Sequence, residues 1–185
     1  MRKTRSELTR ARRERLLVKF TRPFEQGSMT GYVLDIGPKF FLLALIGDDG
    51  VRFNGFSCLQ LADVRNLRVP HRYFEFLEAA LKKLGQPFPN KPRVLLGTLP
   101  KLLCSASKQF PLVTIHRERV DPDVCFIGRM QEVSRTVLRI QEIGPDAIWD
   151  AETETYRLSE ITRVDFGGGY EEALYLVGGK PDRQA

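Results

Sequence analysis

Apolar residues along this chain recur mostly in short runs of period two, broken by turn residues. Around Val137, Leu138 and Ile140 point one way while Arg139 and Gln141 point the other; Tyr156 and Leu158 alternate with Thr155 and Arg157 in the same manner. Such alternation predicts strands of four to eight residues, half-buried in a sheet. Gly37-Pro38, Gly47-Asp48-Asp49-Gly50, Asn54-Gly55 and Gly144-Pro145-Asp146 supply the turns between them. Helical spacing is confined to a few places. A short helix is predicted around Thr4–Glu14 and another over Leu99–Lys108, where Thr98 suits an N-cap and Pro100 a first helical turn. A third begins near Pro70, with Tyr73, Leu77, Ala80, Leu81 and Leu84 as its apolar stripe and Gly85 as its stop. Gly167-Gly168-Gly169 reads as a flexible turn, and Tyr170 to Val177 after it as a shorter helix or a turn. About five short strands packed into ~50 residues predict a small closed or nearly closed barrel rather than an open sheet with long edges.

The pattern occurs twice. Shifted by 97 residues, Gly31–Leu77 aligns without gaps on Gly128–Leu174, with identities at Gly31/Gly128, Ile46/Ile143, Gly47/Gly144, Asp49/Asp146, Leu61/Leu158, Tyr73/Tyr170, Glu75/Glu172 and Leu77/Leu174. Conservative pairs such as Asp35/Glu132, Leu43/Ile140 and Val64/Ile161 add to these. Upstream the offset becomes 95, pairing Leu17–Arg22 with Leu112–Arg117. We read two copies of one domain, the period being too long for a solenoid; the alternative is two unrelated small β folds that share turn spacing. The expected boundaries are 1–85 for the first copy with its basic helix and closing helix, 86–97 for a proline-rich linker, and 98–185 for the second copy. The linker, beginning Gln86-Pro87-Phe88-Pro89-Asn90-Lys91-Pro92, is expected to be stiff, and the tail after Gly178 frayed.

The fold class that follows is mainly β with flanking helices. A short helix and a bent five-strand meander with a glycine on the second strand, in ~70 residues, resemble the Sm-like (LSm) family of small barrels, within the wider SH3-like group. The residues that carry the resemblance are Gly31–Ile36, Phe40–Ile46 and Leu61–Leu67 in the first copy; in the second they are Gly128–Val133, Val137–Ile140 and Leu158–Val164. The resemblance implies two tandem Sm-like or SH3-like small barrels, each preceded by a short helix, whose edge strands pair with neighbours. RNA-binding members carry an Asp and a nearby Asn after the second strand and an Arg-Gly pair before the last. Here Ile36-Gly37-Pro38-Lys39 and Val133-Ser134-Arg135-Thr136 contain no such Asn, and neither copy has the Arg-Gly pair, so the family's nucleotide pocket is not carried over.

Composition narrows the function. With 42% hydrophobic residues the chain has enough apolar side chain for a core, and no apolar run approaches the ~20 residues that span a bilayer. No apolar segment follows the basic start, so no secretion signal is read. Cys58, Cys104 and Cys125 make neither a disulfide framework nor a metal knuckle, and their apolar neighbours suit small core residues. A reducing, cytoplasmic setting is expected, with no cofactor, no metal and no membrane partner. His71 and His116 are the only histidines, and His116 falls on a predicted strand, where a satisfied structural role is expected. No nucleophile elbow, phosphate loop or Cys-x-x-Cys appears, so no enzymatic activity is expected.

Charge is placed unevenly. The net charge is +6, yet Met1–Arg22 alone holds nine basic residues against Glu7 and Glu14, leaving 20 basic and 21 acidic residues in the other 163. Arg2, Lys3, Arg5, Arg10, Arg12, Arg13, Arg15 and Lys19 are therefore the candidate nucleic-acid contacts, through salt-sensitive phosphate binding. No aromatic interrupts them before Phe20, which weakens base stacking as the mode. The alternative is a solvated helix with Leu8, Ala11 and Leu16 docked on the barrel. Asp146–Glu154 gathers Asp146, Asp150, Glu152 and Glu154 around Trp149. Trp149, Asp150 and Glu152 are the candidate contacts to a basic partner; the alternative is a solvated hairpin whose charges discourage edge pairing, with Trp149 covering the barrel end. The expected role is a non-catalytic binding or assembly module. RNA or DNA is the first partner considered, and a protein partner or self-association through edge strands the second.

Overall fold

The structure, a computed structural model, describes residues 2–47, 50–69 and 74–181. The chain divides into two compact units, Met1–Pro92 and Arg93–Ala185, with the boundary inside the proline-rich stretch. Pro70, His71 and Tyr73, and Asp48-Asp49 of the first predicted turn, lie outside the described residues.

The first unit runs α1 (Arg2–Glu14), β1 (Leu17–Thr21), β2 (Ser28–Ile36), β3 (Phe40–Ile46), β4 (Phe53–Gln60), a 3₁₀ turn at Leu61–Asp63, β5 (Arg65–Arg68) and α2 (Phe74–Lys83). Its strands are antiparallel in the order β5-β1-β2-β3-β4. α1 is polar except for Leu8 and Ala11, one turn apart and both fully buried. They join Val18, Phe20, Val33, Phe41, Leu43 and Leu59 in the core of the unit. The helix stops at Arg15, which takes a left-handed φ of 52° and lets Leu16 N–H reach back to the Ala11 carbonyl at 2.9 Å. In α2, Phe74 and Leu81 are buried, but Leu84 falls past the last turn and is 50% exposed.

The second unit repeats the order: α3 (Leu99–Ser107), β6 (Val113–His116), β7 (Cys125–Val133), β8 (Val137–Ile143), β9 (Trp149–Arg157), a 3₁₀ turn at Leu158–Glu160, β10 (Arg163–Phe166) and α4 (Gly169–Gly178). Its strand order is β10-β6-β7-β8-β9. β7, β8 and the second 3₁₀ turn each lie 97 residues beyond β2, β3 and the first. The irregularities recur too: β2/β3 shifts register between Val33 and Asp35 and β7/β8 between Met130 and Glu132. Thr98 caps α3, its side chain accepting from Lys101 N–H, with proline in the first turn. α4 corrects the expectation of a shorter element, having the same 10 residues as α2. Gly167, at a φ of +67°, makes the turn before it, and Gly168 is the N-cap.

The barrels expected from the sequence are not closed. Among the described residues no ladder joins β4 to β5 or β9 to β10. The three-residue 3₁₀ turn makes a corner, with extended residues at both ends; it delivers β5 to β1 and β10 to β6. Each five-stranded sheet therefore stays open, and mainly β is the class the structure supports.

The proline-rich stretch is held to its neighbours rather than standing free. In the first unit Gln86 Oε1 accepts from Phe53 N–H at 3.4 Å, and the Phe88 ring packs 4.9 Å from that of Tyr32. Lys91 Nζ donates to Asp35 Oδ2 at 2.6 Å.

Candidate functional site

Most of the N-terminal cations are engaged within the first unit. Arg5 donates to the carbonyls of Gly37 and Pro38, each at 2.8 Å, which fastens α1 to the β2–β3 turn. Arg10 bonds Glu7 at 2.8 Å and the Val69 carbonyl at 3.0 Å. Arg12 reaches Asp35 at 2.7 Å, Arg13 reaches Glu14 at 2.6 Å, and the Arg15 guanidinium lies 5.0 Å over the Phe88 ring. Arg2, Lys3 and Lys19 are exposed and carry no partner among the described residues. The predicted patch is therefore brought only partly into play, because docking Leu8 and Ala11 draws the intervening arginines onto carbonyls and carboxylates.

Asp35 receives both Arg12 and Lys91, and also the Ile36 N–H at 2.9 Å. Burial alone would raise its carboxyl, but Lys91, that amide and Arg12 together hold it below the usual carboxylate range. It joins α1, β2 and the proline-rich stretch.

Asp146–Glu154 is less a loop than a turn and a strand. Gly144 N–H bonds the Ile148 carbonyl at 2.8 Å to close the turn, and β9 starts at Trp149. Trp149 faces inward: its Nε1 donates to the Gly178 carbonyl at 3.1 Å, and its ring packs on Leu112, Ile143 and Leu174. Asp150, Glu152 and Glu154 are exposed along β9, whose one strand neighbour is β8. Glu142 on β8 accepts the Tyr156 hydroxyl. Partial burial, with Asp150 and Glu154 nearby, nonetheless pushes the Glu142 carboxyl above its usual range, against the pull of that bond. Burial and Glu142 likewise push the Tyr156 hydroxyl up.

β5 is the opposite case. Its one neighbour is β1, and Arg65 and Arg68 are exposed on it with no acidic residue in the strand. Lys19 stands opposite Arg68 in the ladder, and Arg65 Nη1 donates to the Ala62 and Val64 carbonyls at 2.7 and 3.0 Å. Asn66, at a left-handed φ of 48°, ties the strand back by donating to Thr21 Oγ1 at 3.0 Å. The two strands thus carry opposite charge. Nothing in their spacing announced this, because β5 is four residues long and its edge position is a matter of sheet order.

His116, expected to be a structural histidine on a strand, belongs to an ionic cluster on β6 and β10 whose other members the sequence did not single out. His116 faces Arg163 on one side and Cys125 on the other in the ladders. His116 Nε2 lies 3.0 Å from Asp165 Oδ2, and Arg163 Nε lies 2.8 Å from the same oxygen. Burial alone would raise Asp165, but Arg163 and then His116 override it and hold its carboxyl far below the usual range. Partial burial and Asp165 push the Cys125 thiol up, the reverse of what a thiolate nucleophile needs. The arrangement ties β6 to β10. Among the described residues no group of three or more His, Cys, Asp or Glu is placed to hold a metal ion, and no helix is long and apolar enough to cross a membrane.

Compared with protein-family models, curated proteins and solved structures, the chain matches none.

Proposed function

We propose that the chain is a non-catalytic binding and assembly module, two Sm-like units in tandem, that joins further copies of itself by pairing β9 of one chain with β5 of the next. The observation that supports this is the opposite charge of two strands with one neighbour each: Asp150, Glu152 and Glu154 on β9, Arg65 and Arg68 on β5. The neighbouring strands extend each patch, Glu142 on β8 near Asp150 and Glu154, and Lys19 on β1 opposite Arg68. Strand addition supplies backbone hydrogen bonds to unpaired edges, and complementary charge selects the partner edge and the register. The Sm-like assignment rests on the shared order of helix, bent five-strand sheet and 3₁₀ corner.

Sedimentation velocity at low and high salt tests this. The native chain is expected to associate and to dissociate as salt rises. Arg65→Glu/Arg68→Glu and Asp150→Lys/Glu152→Lys, each alone, are expected to be monomeric, and their equimolar mixture to associate again. A native chain that stays monomeric at all concentrations overturns the proposal.

A second reading, nucleic-acid binding, rests on Arg2, Lys3 and Lys19, the N-terminal cations without partners among the described residues. Fluorescence polarisation with labelled RNA or duplex DNA at two salt concentrations tests it. The right comparison is Arg2→Gln/Lys3→Gln/Lys19→Gln, since truncating α1 would strip Leu8 and Ala11 from the core. Steep salt-dependent binding by a monomeric chain, lost in this variant, would favour it over assembly.

A further inference from the structure

A groove of about 500 Å³ lies in the second unit between residues 93–95 and α3. Two polar side chains four residues apart build it, Ser105 on α3 and Gln109 just past its end. Ser105 Oγ accepts from Leu95 N–H at 2.8 Å, and Gln109 Oε1 accepts from Arg93 N–H at 2.9 Å. Each is anchored in turn: the Ser105 hydroxyl donates to the Lys101 carbonyl at 2.7 Å, and Gln109 Nε2 donates to the Ser105 carbonyl at 3.0 Å. With those groups occupied, the remaining lining is largely apolar, from Leu95, Pro100, Cys104 and Val133. Leu95 is 59% exposed, so its side chain is open to a ligand in the groove.

Three cations complete the lining. Arg93, Lys101 and Lys108 are exposed, none has an ion-pair partner among the described residues, and no carboxylate joins them. The groove beside Tyr32 in the first unit is lined by Glu78 as well as Lys82; two others of similar size lack a carboxylate but are lined by two cations each, Lys19 with Arg68 and Arg129 with Lys180, against three here. An apolar floor with unpaired positive charge of one sign fits a ligand with an aliphatic body and an anionic head. Its size lies within the roughly 300–1,000 Å³ of small-molecule sites. We propose that this groove binds a medium-chain aliphatic carboxylate, with the chain over Leu95, Pro100 and Cys104 and the carboxylate among Arg93, Lys101 and Lys108.

Cys104 is a built-in reporter. Cys58 is fully buried, so in the full-length Cys125→Ser chain the rate of alkylation by neutral iodoacetamide, read by intact mass, follows Cys104. Octanoate below its micellar concentration is expected to slow alkylation at least ~5-fold, whereas acetate, lacking the chain, and octan-1-ol, lacking the charge, leave it nearly unchanged. Arg93→Gln/Lys101→Gln/Lys108→Gln, changed only at exposed positions and checked for folding by circular dichroism, should raise the half-protecting concentration about tenfold. NMR line broadening of carboxyl-labelled octanoate, scored against the same variant, gives a readout independent of the thiol. No broadening and no protection by octanoate overturn the proposal; so do equal protection by octan-1-ol and an unchanged response of the triple variant.

Discussion

Gly31 and Gly128 hold equivalent places on β2 and β7, and both are there for want of room. A Cβ on Gly31 would stand 2.1 Å from the Ala44 carbonyl oxygen, and one on Gly128 2.1 Å from that of Gln141. The obstacle in each case is backbone of the paired strand, which cannot rotate away as a side chain would. Gly31→Ala and Gly128→Ala are each expected to cost about 3 kcal/mol or more, at the severe end of overpacking, as measured by urea unfolding. Their identity was legible as a match between the repeats; the reason for it was not, because the clash lies across a ladder with a residue 13 positions away. Trp149 left two readings open, an anchor for a partner and a cover over the end of its own sheet. Its indole N–H and ring are both used inside the second unit, as the second has it.

At the scale of elements, alternation located the strands and capping chemistry located α3, since both signals are local. What α1 does with its arginines was not local. Leu8 and Ala11 alone decide that the helix docks, and docking then places Arg5 on the Gly37 and Pro38 carbonyls and Arg12 on Asp35. Asp35 looked like an ordinary strand residue and is instead the point where α1, β2 and the proline-rich stretch meet. Its pKa lies below the unfolded value, so its contribution is complete above the ordinary carboxylate range and is lost as pH falls through the lower, folded value. Asp35→Asn is expected to cost about 1 kcal/mol at pH 7, both ion pairs being half-exposed. The gap to the native chain should close below about pH 4. Denaturant unfolding across that range measures it, and amide exchange at Phe88 and Lys91 should quicken in the variant.

Across the whole molecule, the proposed contact joins two different patches, β9 and β5, so it is heterologous and either closes into a ring or continues as a series. Native mass spectrometry of the low-salt protein is expected to give a ring of fixed size or a ladder of masses, and a monomer alone would count against it. The run of apolar and polar residues, taken alone, determined a mainly β chain, its strand positions, the repeat and an N-terminal excess of positive charge, because periodicity, turns and composition are written in neighbouring residues. Only the tertiary structure decided that the sheets stay open, that most of the N-terminal basic residues are engaged within the first unit, and that β5 and β9 stand at edges with opposite charge. Those outcomes depend on which strand each 3₁₀ corner delivers to which partner, and pairing between segments distant in the chain leaves no local mark.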